Sequence, residues 1–247
     1  MKLFLNLFCV VLIPGLTTLF AGTVPPIDPA RYNRPVILAC VGDSITADRG
    51  PWGYPTQLSR MLKDQWEVKN FGVSGSTLMK KANKPYQNQA AFQEALASKA
   101  DVVIIMLGTN DSKPVNWAKK DQFVEDYKDL IRQFKALESK PVILIAKPPY
   151  VSRKSDKPDI NEEGVRDQLP MIDKIAAEEK VSVVDIHGAT FEKNALFRDG
   201  VHPNGNGAGE IARTFYLALT GKAFEGPIPT PPPKSKTPVP TPTPAAL

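Results

Sequence analysis

The sequence predicts an α/β domain built on a mostly parallel sheet, and three observations carry that expectation. Short apolar runs rich in valine and isoleucine recur along the chain with little polar alternation, the pattern of strands covered on both faces. Segments of helical period lie between them, and strands alternating with helices imply a parallel sheet with helices on either side. The length of 247 residues suits one medium-sized domain that buries a proper core.

Taken in chain order, the first segment is set apart from the fold. Lys2 supplies a short positive region, residues 3–20 are almost all apolar, and Ala21-Gly22 are small. This has the form of a secretory signal peptide over residues 1–22. Pro14-Gly15 interrupts a span already short for a bilayer crossing, so a transmembrane anchor is not expected. Residues 23–34 form a lead-in. Strand candidates follow at 36–41, 67–71, 102–107, 142–146 and 181–186, and helix candidates at 54–63, 87–98, 121–137, 162–178 and 206–220. Within 121–137, Phe123, Tyr127, Leu130, Ile131 and Phe134 recur at three- and four-residue spacing, which gives that helix one apolar face. The domain therefore spans residues 35–224. Residues 225–247 are dominated by proline, threonine, lysine and alanine, a composition that cannot bury apolar surface and predicts an extended, disordered tail.

Composition narrows the chemistry. The net charge of +5 is modest, and the densest basic pairs, Lys80-Lys81 and Lys119-Lys120, read as solvated faces; no nucleic-acid partner is expected. Removal of the leader takes Cys9 with it and leaves Cys40 alone, so no internal disulfide is expected. Cys40 lies inside the first apolar run and reads as a buried strand residue. With two histidines and one mature cysteine, a zinc site has too few of its preferred ligands, and no metal is expected.

In a parallel α/β sheet, functional residues collect in loops at the C-terminal ends of the strands, and the unusual residues of this chain sit there. Gly42-Asp43-Ser44-Ile45-Thr46 follows the first strand and Asn70-Phe71-Gly72-Val73-Ser74-Gly75-Ser76-Thr77 closes the second. Gly108-Thr109-Asn110-Asp111 follows the third, and Asp199-Gly200-Val201-His202-Pro203-Asn204 precedes the last helix. Together they supply what nucleophilic acyl transfer needs. Ser44 is a hydroxyl nucleophile that requires a base; His202 is that base, and Asp199, three residues upstream, holds its tautomer and balances its charge. The N–H groups of Ser44 and Gly75 and the side-chain amide of Asn110 can supply three donors to an oxyanion. Gly72 competes with Gly75 for the glycine role. His187, with Asp185 nearby, competes with His202 but reads as a satisfied or surface histidine. Asp43 and Asp111 read as structural. The aromatics Trp52, Tyr54, Tyr86, Trp117 and Tyr150 lie in or beside the same loops, where packing is the commoner role.

These four blocks, in this order and at these positions relative to the strands, resemble those of the SGNH hydrolases, the GDSL esterase/lipase family, over residues 36–212. The resemblance implies a flavodoxin-like three-layer α/β/α sandwich on a five-stranded sheet. It also implies a Ser44–His202–Asp199 triad, a Ser44/Gly75/Asn110 oxyanion hole and no cofactor. The family's leucine after Gly-Asp-Ser is Ile45 here. An α/β-hydrolase elbow is excluded because Thr46 stands where its second glycine belongs, and the glycines make neither a P-loop nor a dinucleotide fingerprint. Asn70–Thr77 and Gly108–Pro114 are similar to bacterial members that remove acetyl groups from sugars. The expectation is a secreted or periplasmic esterase acting on a small-molecule or polysaccharide ester. The alternatives are a lysophospholipase, thioesterase or arylesterase of the same family, or a catalytically silent carbohydrate-binding protein.

Overall fold

The computed structural model describes residues 25–152 and 159–228. Residues 1–22, expected to form a signal peptide, and all but the first few residues of the expected tail lie outside them. Five strands, β1 (Val36–Gly42), β2 (Trp66–Gly72), β3 (Val102–Met106), β4 (Val142–Lys147) and β5 (Ser182–Asp185), form one sheet in the order β2-β1-β3-β4-β5. Every pairing is parallel, so the mostly parallel sheet of the sequence reading is wholly parallel here. The helices are α1 (Ser44–Ala47), α2 (Tyr54–Leu62), α3 (Ala90–Ala97), α4 (Pro114–Trp117), α5 (Phe123–Lys135), α6 (Glu162–Glu179), α7 (Ile186–Thr190) and α8 (Gly205–Thr220).

Strand sequence explains the layers. Successive side chains of a strand point to opposite faces, and here both faces are covered. Val36, Leu38 and Cys40 of β1 enter one core with Ile104 and Met106. Ile37, Ala39 and Val41 enter the other with Val103 and Ile105. The first core is closed by α2 and α8 through Leu58, Met61, Ile211 and Phe215. The second is closed by α3, α5 and α6 through Phe92, Tyr127, Phe134 and Ile172. The division follows from handedness. Crossovers between parallel strands are right-handed, so the step from β1 outward to β2 puts α2 on one face. The steps in the opposite direction, β2 to β3, β3 to β4 and β4 to β5, put α3, α5 and α6 on the other. Helix α8 then covers the face that α2 alone leaves open.

The lone cysteine of the domain is where the pattern put it. Cys40 is fully buried, and burial pushes its thiol up to about 12, which leaves it without thiolate character. The lysine pairs sit on the surface, where Lys80 meets Asp129 at 2.8 Å and Lys120 meets Asp167 at 3.8 Å. No helix among the described residues is long and apolar enough to cross a membrane.

Gly42 and Gly72 are paired at the ends of β1 and β2, directly under α1. A Cβ on Gly72 would lie 2.3 Å from the backbone nitrogen of Ala47 and 2.6 Å from the carbonyl carbon of Thr46, and backbone cannot yield as a side-chain tip can. Gly72→Ala is therefore expected to lower stability by about 1–3 kcal/mol; equilibrium urea unfolding measures it, and an unchanged midpoint would contradict the close approach.

Candidate active site

The strand order decides where a site can form. The chain leaves β1 toward β2 on one side, and β3 lies on the other side of β1, so the loops after β1 and β3 diverge and open a crevice at the C-terminal edge of the sheet. Ser44 lies after β1 and Asn110 after β3. Ser44 is the first residue of α1, whose N-cap is Asp43, with its carboxylate accepting from the Ile45 N–H at 3.0 Å. The first N–H groups of a helix have no acceptor within it, so the Ser44 N–H stays available.

Residues far apart in sequence meet at Ser44. Its Oγ lies 2.9 Å from Nε2 of His202. His202 Nδ1 lies 2.8 Å from Oδ2 of Asp199. The other carboxylate oxygen of Asp199 accepts from the backbone N–H groups of Val201 at 3.1 Å and His202 at 2.7 Å. One acid thus fixes both the ring and the loop that carries it. Burial works to raise the Asp199 carboxyl, but the His202 backbone N–H, the His202 ring and the Val201 N–H outweigh it and bring it down to about 2. An ionised Asp199 accepts from Nδ1–H, which leaves Nε2 as the acceptor for the serine proton.

The two glycines occupy different settings. Gly72 ends β2 and is there for close packing, whereas Gly75 sits in the turn beyond it with φ of +76°, a conformation glycine adopts without penalty. The turn is stitched to the nucleophile loop: the carbonyl of Gly42 accepts from Val73 N–H at 3.0 Å and from Ser76 Oγ at 3.4 Å. Asn110, nearly fully buried, donates from Nδ2 to the carbonyl of Ser76 at 3.1 Å. This places its amide against the residue after Gly75, and one amide hydrogen remains for another acceptor.

Asp43 and Asp111 are structural, as read. Asp111 accepts from the N–H groups of Leu78 and Met79 at 2.8 and 2.9 Å. Burial raises Asp43 to about 6 against the Ile45 N–H and the Thr109 side chain, and Asp111 to about 7 against the Met79 and Leu78 N–H groups. His187 is not at the site. It is buried, and its Nε2 lies 2.8 Å from Oε1 of Glu162, while Asp185 instead accepts from the Gly188 N–H at the start of α7. Tyr54, Tyr86 and Tyr150 are buried packing residues, and Trp117 packs edge-on to Phe123. Trp52 alone of the five is exposed, at 49%.

Two supports escaped the sequence reading. Asn70 donates to the carbonyl of Thr46 at 2.6 Å and accepts from Gly72 N–H at 2.9 Å, tying α1 to the end of β2. Asn116 donates to the carbonyl of Asn110 at 2.9 Å. The contact to Thr46 joins two separate blocks and that to Asn110 spans a turn, so neither is visible in the local sequence. Among the described residues no cluster of three or more His, Cys, Asp or Glu side chains is arranged to hold a metal ion.

Comparison with known proteins identifies the family and the fold. The sequence model of the GDSL-like lipase/acylhydrolase family matches residues 40–209. An acetylxylan esterase of Xylanibacter ruminicola is 34% identical over 215 residues, covering 77% of this chain and 44% of its own length. The chain therefore spans less than half of that relative. Among solved structures, the acetyl xylan esterase AlAXEase superposes with a TM-score of 0.61 at 21% identity, over 74% of this chain and all of its own. Est24, a carbohydrate acetylesterase from Sinorhizobium meliloti, does so with 0.60 at 19%, over 73% and 96%. At these identities the two structures share the fold.

The depressed Asp199 carboxyl has a consequence for stability. An acid whose folded value lies below its ordinary 3.8 adds stability that is present above that pH and is lost as pH falls toward about 2. Between pH 4 and 2 the wild type is expected to lose stability more steeply than Asp199→Asn. Urea midpoints across that window measure the difference, and parallel curves would contradict it.

Proposed function

This chain belongs to the GDSL-like lipase/acylhydrolase family, and from that premise we propose that it is a serine esterase that removes O-acetyl groups from carbohydrates. The observation that carries the chemistry is the 2.9 Å contact between Ser44 Oγ and His202 Nε2, residues 158 positions apart. Nothing in local folding calls for that contact, and proton transfer does.

The cycle balances on these groups. Ser44 Oγ attacks the ester carbonyl carbon while Nε2 takes its proton. The tetrahedral oxyanion is met by the Ser44 and Gly75 N–H groups and the free amide hydrogen of Asn110. The imidazolium, stabilised by Asp199, gives its proton to the departing alkoxide as the carbon–oxygen bond breaks, releasing the sugar hydroxyl and leaving an acyl-serine. Water, deprotonated by the same nitrogen, attacks that acyl group. The second collapse returns the proton to Oγ and frees the acid. Only water is consumed.

The acetyl-sugar class rests on two supports: the similarity of Asn70–Thr77 and Gly108–Pro114 to bacterial sugar deacetylases, and the acetylxylan esterase relative. The leader at residues 1–22 has the form of an export signal, which suits work on a polymeric ester outside the cytoplasm.

Release of acid from aryl esters of increasing acyl length, from acetylated xylan and from O-acetylated sialic acid tests the reading. Acetyl preference and turnover of the sugar esters are expected. A rate that rises with chain length would favour a lipid esterase, and no turnover by the folded protein would favour a silent binding protein. Ser44→Ala is expected to lose roughly three or more powers of ten in kcat, and Asn110→Ala about 10²–10³. Wild-type rates in Ser44→Ala would overturn the assignment.

A further inference from the structure

The chain holds two histidines, and each is paired with a carboxylate. One pair belongs to the site above. In the other, His187 with Glu162, both side chains are 9% exposed, and the reaction does not use them. We infer that Glu162, held by His187, is a positioning residue that sets the Asp199–His202 loop through Val151 and Ser152. This rests on reading Asp199 and His202 as the acid and base of the esterase.

The connection is continuous. Glu162 is the first residue of α6. Its Oε1 faces His187 Nε2 at 2.8 Å, and its Oε2 accepts from the Val151 N–H at 2.9 Å. The next residue, Ser152, donates its N–H to the carbonyl of Gly200 at 2.8 Å. Gly200 follows Asp199 directly. Val201, 1% exposed, packs in a small cluster with Val151, Ile160 and Val165 that is separate from both main cores. On the other side, Tyr150 donates its N–H to Thr190 Oγ1 at 3.0 Å. The segment 150–152 is therefore anchored at three consecutive N–H groups, two of them to side chains and one to the triad loop.

The triad loop meets its surroundings at several points: His202 faces Ser44, Arg198 pairs with Asp48 at 3.9 Å, and Asn204, two residues after His202, caps α8. Its own bonds are local: Asp199 accepts from Val201 and His202, and Arg198 N–H donates to the His202 carbonyl at 2.8 Å. Those bonds shape the loop but do not locate it relative to the sheet. On the Gly200–Val201 side the Ser152–Gly200 bond and the Val201 cluster locate it, and both run through the segment at Val151 that Glu162 holds. Reach across the 2.9 Å gap to Ser44 is sensitive to displacements of an ångström.

The test reads the His202 Nδ1 proton by NMR, where a histidine N–H donated to a carboxylate resonates far downfield, together with kcat and KM on an aryl acetate. Two histidines make assignment direct, and the proton is read without substrate. An absence of turnover by the wild type would overturn the esterase reading and leave the positioning test standing. In Glu162→Ala the His202 signal is expected to shift or broaden, kcat to fall about tenfold and KM to stay within twofold. Glu162→Gln, which keeps one acceptor, is expected to recover most of both. If Glu162→Ala fails to fold, His187→Ala serves: the Glu162–Val151 bond persists, the carboxylate loses its second anchor, and kcat falls about threefold with the same split. A folded variant of either kind with the wild-type His202 signal and kcat would overturn the inference.

Discussion

The reversal of strand order between β1 and β3 is the constraint on which the rest depends. A sheet that simply continued in one direction would cover the end of each strand with the next connection. Because the chain steps one way from β1 and the other way afterwards, two loops diverge and leave a crevice at the strand ends. The same reversal sends α2 to one face and α3, α5 and α6 to the other. Architecture and site location therefore share one cause. The strands are buried on both sides and rigid, and their ends hold the loops of the site.

Within that crevice the side chains are held by backbone. Gly42 carries the burden on the nucleophile side, its carbonyl collecting Val73 and Ser76. Asn110 reads the same turn from β3 through the Ser76 carbonyl. Asp199 does so for the base, with one oxygen on the ring and one on two backbone N–H groups. Burial separates the two histidine–carboxylate pairs. Glu162 and His187 are sealed in, while His202 and Asp199 keep 29% and 23% of their side chains exposed. In the proposed reaction the base hands protons to departing groups and to water, which requires that access; a buried positioning pair does not.

Much of this was legible in the sequence. The five strand candidates became the five strands to within a residue or so; β1 and β3, buried along their whole length, leave the clearest apolar signature, while the edge strand β2 carries Glu67, Lys69 and Asn70 and showed only a weaker one. The helix expected over 162–178 runs through Pro170 as α6, since the packing of Val165, Ile172 and Ile175 outweighs the lost backbone bond. The helix expected over 87–98 is shorter, with a 3₁₀ turn at Tyr86–Asn88 before α3. Helices α1, α4 and α7 were missed, because four or five residues are too few to show a period. The four motif blocks pointed to Ser44, Gly75, Asn110, Asp199 and His202, but the different backbone settings of Gly72 and Gly75 are visible only in the angles and clearances of the fold. The roles of Asn70, Asn116 and Glu162 were invisible, because the Thr46 carbonyl, the Asn110 carbonyl and the His187 ring that they meet are identified only in the folded chain.

The single thiol of the described residues has a practical side. Cys40 is fully buried in β1 and its proton is held to about pH 12. Maleimides and other sulfhydryl reagents therefore find nothing to modify in the folded domain. A cysteine introduced at an exposed position such as Val115 would be the one reactive handle on that domain, so a fluorophore or spin label can be placed at a chosen point without first removing the native residue.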